Sequence, residues 1–253
     1  ASSLLQSLCS ERTIRRYIYK GYLSVRAHEL PRYVRYKHKY DYAKKKIVNV
    51  ERMLGRTHSD YLNYVKAYPD LSTWQYDSVE GKIDDRKAIL TITLPSTRFQ
   101  FGYLISKGSA RSVVARIRKL QEILGSEYEA IFPINLSDNG PEFARFHELE
   151  INELGAVITR MFFTNPYRST DKAACERNHE FFRYILVKGK TMNELSQGDL
   201  DLYFSMINSY PRKSLNGRCP IDVLDEIYGK DFHQKLRLKR LSLKEINFKI
   251  RRK

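Results

Sequence analysis

The chain of 253 residues is poor in the features that mark membrane, secreted or zinc-bound proteins. It contains no stretch of about 18 uncharged apolar residues, so no ordinary membrane-spanning helix is expected. The first residues lack the basic, apolar, small-residue order of a signal peptide, and the sequence reads as a soluble protein without a membrane partner. Its three cysteines, Cys9, Cys175 and Cys219, lie far apart, and none belongs to a CxxC or CxxH pair. That argues against zinc and for reduced thiols. The six histidines also lack paired ligand spacing. A metal site here must therefore use oxygen ligands, which favours magnesium or manganese. No internal repeat is visible. The chain opens at Ala1 rather than at a methionine, with a helix foreseen almost at once, and we expect a fragment or a processed product.

The centre is short of net charge as well, although the whole chain carries +16. Lys and Arg outnumber Asp and Glu by 15 to 6 over residues 1–70 and by 10 to 2 over 230–253, but stand at 20 to 21 over 71–229. A neutral core between basic arms suits a polyanion, because cationic side chains gain free energy by releasing counterions condensed on phosphates. The arms are rich in Tyr and Arg and lack a Trp/Leu-faced amphipathic helix, so nucleic acid is favoured over a lipid surface.

Ser10 is a candidate N-cap for a helix running to about Lys20, with Gly21 as its stop. Ile14, Tyr17 and Ile18 form an apolar stripe, and Arg12, Arg15, Arg16 and Lys20 fill much of the remaining surface. This fits the second helix of a helix-turn-helix, of which residues 2–8 supply only the end of the preceding helix. The plainer reading is a basic amphipathic surface helix. From Arg32 to Lys46 come seven basic residues (Arg32, Arg35, Lys37, Lys39, Lys44, Lys45, Lys46) and one acid, interleaved with four tyrosines. Such a segment has little with which to build a core and reads as an extended arm or linker touching phosphates.

From Leu71 the pattern turns to strands, at STWQYDSV, KAILTITL and TRFQFGYLI. A helix is expected over about 108–124, a strand in YEAIFPINL, a helix after Pro141, a strand near AVITRMFF, and a helix over about 170–186. In that last helix Phe181, Phe182, Ile185 and Leu186 face inward. Another helix covers roughly 198–209. The order β-β-β-α-β-α-β-α matches an α/β fold with a ribonuclease-H-like mixed five-stranded sheet flanked by helices.

Cleaving and rejoining phosphodiesters calls for carboxylates converging on two divalent ions about 4 Å apart. Asp77 sits inside the first strand, Asp138 follows the fourth, and Glu176 lies in the first half of a helix. The intervals are 60 and 37 residues. In this fold the first and fourth strands are neighbours, so the two aspartates would lie side by side. Each acid also has an ordinary reading: Asp138 opens an Asp-Asn-Gly turn, Asp77 could be a solvent-facing strand residue, and Glu176 a helix-surface charge. Glu180, one turn beyond Glu176, is a supporting residue or the alternative ligand. Lys172, Arg177 and His179 surround the glutamate, and Lys172 and Arg177 are candidate phosphate contacts. Trp74 reads as core.

TWQYDSVEG (73–81), LSDNGPEFA (136–144), NPY (165–167), CERNHEFFRYILVKG (175–189) and INSYPRKSLNGRCPIDVL (207–224) resemble, in order, the insertion-sequence transposases of the IS-thirty family. The resemblance extends upstream through RTIRRYIYKGYLSVRAHELPR and GRTHSDYLNYV. It implies a DNA-binding region with helix-turn-helix elements, a ribonuclease-H-like integrase catalytic core, and an acidic triad on Asp77, Asp138 and Glu176 binding Mg2+ or Mn2+ as two ions. Asn165 stands where the family commonly has Asp, and Thr170, Asp171, Lys172 and Ala173 stand where it has Trp-Gln-Lys-Gly.

The resulting expectation is a DNA transposase acting on double-stranded DNA, both terminal repeats and target. It would work as a homodimer or higher oligomer, in the cytoplasm on the nucleoid. The domains expected are a partial helix-turn-helix (1–31), a basic linker (32–69), the catalytic domain (70–229) and a basic tail (230–253). The rival is a catalytically inactive, transposase-derived DNA-binding repressor. A plain nuclease would share the acids but not strand transfer.

Overall fold

Three consecutive runs rich in Thr, Tyr, Phe and β-branched residues pair in sequence order to start the sheet. In the computed structural model, which describes residues 10–25, 53–165, 181–182, 185–186 and 191–248, these are β1 (Thr73–Glu80), β2 (Lys87–Leu94) and β3 (Phe99–Ser106). They are antiparallel, with Asp77 opposite Thr91 and Thr91 opposite Gly102. The helix α3 (Ala110–Leu124) follows, its Ser109 N-cap accepting from the Ser112 N–H, and it buries Val113, Ile117, Leu120 and Leu124 at helical spacing. β4 (Ile134–Ser137) then runs parallel to β1, and β5 (Arg160–Phe163) parallel to β4. The order β3-β2-β1-β4-β5 with this polarity is the ribonuclease-H-like mixed sheet.

Two elements differ from the sequence expectation. YEAIFPINL is not one strand: Tyr128–Ile131 forms the short helix α4, and β4 begins only at Ile134. Pro133 bars the helix from continuing, and the Tyr128 and Phe132 rings stack 5.0 Å apart as a helical i, i+4 pair. After Pro141 there is a 3-10 turn, Pro141–Phe143, and then the brief helix α5 (Phe146–Glu150) rather than one longer helix.

Directly paired residues project from the same face of a sheet. On one face Trp74 and Phe101 pack with Phe132, and the Trp74 indole N–H donates to the Ile131 carbonyl at 2.6 Å. The opposite face carries Gln75, Asp77, Thr91, Gly102, Ile134, Leu136 and Phe162 by register. Two helices cover parts of that face. α2 (His58–Ala67) sets Tyr61 and Tyr64 against Phe162, with ring centroids 5.8 and 5.4 Å apart. α6 (Gln197–Asn208) approaches Gly102 through Phe204. It also closes the edge of β3 with side-chain amides. Asn208 accepts from the Gln100 N–H and donates to its carbonyl, and Gln197 does the same for Leu104 and Gly102. Otherwise the strand's backbone groups would be open to pairing with another chain.

α7 (Pro220–Tyr228) and α8 (Phe232–Lys235) complete this unit. The segment expected as a basic tail folds back onto it. Phe232, Leu236 and Leu238 are buried in the main core, Leu241, Ile246 and Phe248 pack against it, and Arg237 and Arg240 pair with Asp201 and Asp222. The described residues 10–25 belong to a separate unit. It contains α1 (Glu11–Tyr19), whose N-cap Ser10 accepts from the Thr13 N–H, as expected from the sequence. The arm from Arg32 to Lys46 lies outside the described residues.

Candidate active site

Asp77 is half-buried in β1, on the face partly covered by α2 and α6. Its Oδ1 accepts from the Ser78 N–H at 3.0 Å, and its carbonyl accepts from the Thr91 hydroxyl at 3.2 Å. Asp138 is the first residue past β4, also half-buried. Its Oδ1 accepts from the Gly140 N–H at 3.2 Å, the short turn that Asp-Asn-Gly sequences favour. The turn is tied to the end of β5: the Thr164 N–H donates to Ser137 O at 2.8 Å, and the Asn139 amide donates to Thr164 O at 3.1 Å.

The β1/β4 ladder pairs Gln75 with Leu136 as its last step. Two residues beyond that step stand Asp77, still within β1, and Asp138, just past the end of β4. Two half-exposed carboxylates beyond the end of the ladder between adjacent parallel strands are oxygen donors of the kind a hard divalent cation takes. Magnesium or manganese therefore fits this donor set.

Glu176 lies outside the described residues, as do Lys172 and Arg177. The chain is described again from Phe181, and at Phe182, six residues after Glu176, the ring stacks on Phe204 of α6 at 5.5 Å. Phe182, Ile185 and Leu186 are buried, as their spacing foretold. Phe181 carries the Arg212 guanidinium over its ring at 3.5 Å. Burial pushes the Arg212 pKa down to about 10. Arg212 was not singled out by the sequence, since nothing in its neighbourhood distinguishes a stacked, buried arginine from an exposed one.

On α1 the side chains of Arg12, Arg15, Arg16 and Lys20 are exposed and Ile18 is buried, as an amphipathic helix requires. Arg32, Arg35, Lys37, Lys39, Lys44, Lys45 and Lys46 fall outside the described residues. No helix among the described residues is long and apolar enough to cross a membrane.

Sequence reasoning also passed over Glu142. Its carboxylate is buried beneath the turn after Asp138 and accepts a hydrogen bond from the Ser78 hydroxyl. Among the described residues, one group of three potential metal ligands occurs elsewhere, at Asp225, Asp231 and His233, with ligand atoms within 4.8 Å of one another. There the Nδ1 of His233 is already engaged with Asp225 at 2.7 Å, and the hollow beside it is lined by Arg237, Lys239 and Arg240. Those cations disfavour a divalent ion.

Strand order and polarity define the fold class; the comparisons with known proteins add relatives. No family model matches the chain. It is similar to the probable transposase of an insertion-like sequence element from Streptococcus salivarius, 27% identical over 207 residues, covering 81% of this chain and 55% of that protein. It is also similar to insertion-sequence transposases from Cupriavidus metallidurans (27% over 141 residues, 56% of this chain and 36% of that protein) and Bacteroides fragilis (26% over 161 residues, 62% and 45%). The chain thus spans between about a third and about half of the length of these curated relatives. Among solved structures, the catalytic core domain of BIV integrase is 21% identical with a TM-score of 0.44, over 62% of this chain and 95% of that one.

Proposed function

We propose that this chain carries the catalytic domain of a DNA transposase, in which Asp77, Asp138 and Glu176 bind two divalent ions, Mg2+ or Mn2+. The observation that carries the reading is the pair of half-buried aspartates, each two residues beyond the last step of the ladder between the adjacent parallel strands β1 and β4. Packing of Phe182 on Phe204 supports the inclusion of Glu176, because it brings the chain to the face that carries Asp77 six residues later. Similarity to three insertion-sequence transposases supports the choice of reaction.

The chemistry consists of two in-line displacements at phosphorus. Water first attacks the phosphodiester at an element end, and the bond to the 3′ oxygen breaks, freeing a 3′-hydroxyl. That hydroxyl then attacks a phosphodiester of the target DNA, forming one bond and breaking another. Divalent ions at such a site help generate the nucleophile and stabilise the leaving oxygen. The protein places the two aspartates just beyond the end of the ladder between adjacent strands, keeps them partly open to solvent, and anchors both strands in a packed sheet. Phosphate affinity comes from α1 and the Arg32–Lys46 arm, with Lys172 and Arg177 beside the third acid. Two element ends must be brought together, so a homodimer or higher oligomer is the working unit.

A labelled duplex carrying the flanking element ends, incubated with the protein, a target plasmid and Mg2+, tests this reading. Joined products that vanish with chelator are expected. DNA binding without metal-dependent cleavage would return the chain to the repressor reading, and cleavage without joining would make it a nuclease.

A further inference from the structure

The backbone ladder between β1 and β4 ends two residues before either aspartate. Strand pairing alone therefore does not fix the separation of Asp77 and Asp138. At that level a side-chain link is present: Ser78, adjacent to Asp77, donates its hydroxyl to Glu142, four residues beyond Asp138. Glu142 sits on the 3-10 turn Pro141–Phe143, which is anchored by the fully buried Phe143, whose ring lies 6.5 Å from that of Tyr76. The carboxylate fills the space that a side chain at position 140 would need: a Cβ built on Gly140 would lie 2.6 Å from Glu142 Oε2. The Gly140 N–H in turn holds the Asp138 carboxylate. One continuous path thus runs from Asp77 through Ser78, Glu142 and Gly140 to Asp138.

Glu142 makes no ion pair among the described residues, and a buried carboxylate without a cation is costly. A plain structural brace at this position would be served by a neutral side chain. A carboxylate accepts from the serine hydroxyl more strongly than an amide does, giving a stiffer link between the strand and the turn. We propose that Glu142, acting through Ser78, is the positioning residue that sets the spacing of Asp77 and Asp138 for divalent-ion binding. The inference rests on the metal-site reading above and adds a residue outside the triad.

The test measures Mn2+ binding to the whole chain without DNA, by the paramagnetic resonance signal of free Mn2+, alongside the Mg2+ concentration giving half-maximal joining. Removing a group that orients a metal ligand commonly weakens metal affinity by about 10- to 100-fold. Ser78→Ala and Glu142→Ala should each raise the Mn2+ Kd by about tenfold or more, and the double variant should be no worse than the weaker single, as for two ends of one link. Glu142→Gln, which keeps an acceptor, should lie between wild type and Glu142→Ala. If Glu142→Ala fails to fold, Ser78→Ala still decides, because it deletes a single hydroxyl. An unchanged Kd in Ser78→Ala, with or without a lower melting temperature, would overturn the proposal, leaving Glu142 a brace of the fold alone. Glu142→Ala effects that simply add to those of Ser78→Ala would overturn it too. Asp77→Asn and Asp138→Asn serve as the reference: if they leave Mn2+ binding intact, the metal-site reading itself fails.

Discussion

Gly102 shows how closely the helix on the face that carries Asp77 is fitted to the sheet. A Cβ built there would stand 2.4 Å from the Leu90 carbonyl oxygen and 2.9 Å from Phe204 Cε2. Neither neighbour can yield easily, since one is backbone of a central strand and the other a fully buried ring. Overpacking a core ordinarily costs about 1–3 kcal/mol, and contacts this short belong at the upper end. At roughly 2–4 °C per kcal/mol for a domain of this size, Gly102→Ala should lower the melting temperature by about 6–12 °C. Because Phe204 also supports Phe182, joining activity should fall further than the loss of folded protein explains. Gly198→Ala supplies the contrast. That glycine is in the first turn of α6, and its Cβ would meet only Ser196 Oγ at 3.8 Å. Alanine restricts the unfolded chain there and should stabilise by about 0.4–1 kcal/mol. The same one-methyl change is thus expected to act with opposite sign at two sites, read by thermal unfolding. An unshifted or raised melting temperature for Gly102→Ala would refute this account of α6 packing.

The capping box of α2, in which Thr57 and Asp60 exchange hydrogen bonds, should contribute about 1 kcal/mol, measured as the loss in Thr57→Ala. The Thr57 hydroxyl and the Thr57 N–H both donate to the Asp60 carboxylate and hold its pKa below its ordinary value of 3.8. The contribution is therefore present above the unfolded value and lost as pH falls through the folded one, so the Thr57→Ala difference in melting temperature should shrink as the pH is taken below about 3.8. Replacing three basic residues of the Arg32–Lys46 arm should flatten the slope of log K against log salt by about 3 if all three neutralise phosphates. An unchanged slope would remove the arm from the DNA interface.

Much of the fold was legible because the strands are long and chemically uniform. β2 occupies KAILTITL as expected, and β1 and β3 deviate only at their ends. Ser10 and Gly21 marked the limits of α1 through cap chemistry, which is local. YEAI was misread because four apolar and polar residues before a proline carry no period long enough to separate helix from strand. The fold-back of residues 232–248 was hidden because its alternating Leu and Lys/Arg pattern resembles a solvated arm; burial of Leu236 and Leu238 depends on where α6 and α7 lie. At the candidate site, Asp77 and Asp138 could be found from their strand and turn positions. Glu142 could not, because its partner Ser78 lies 64 residues earlier in sequence, and only the folded chain brings the two together.

The central claim concerns three carboxylates, and the most direct measurement is strand transfer by Asp77→Asn, Asp138→Asn, Glu176→Gln and Glu180→Gln under Mg2+ and Mn2+, with DNA affinity recorded in parallel. The first three changes keep shape while removing negative charge, so each should abolish cleavage and joining yet leave DNA binding in place. If the three acids act as one unit, as proposed, a triple variant should be no worse than a single. Glu180→Gln should be far milder. Near-normal joining by Glu176→Gln together with loss in Glu180→Gln would contradict the third ligand, and full joining by Asp77→Asn or Asp138→Asn would contradict the site itself.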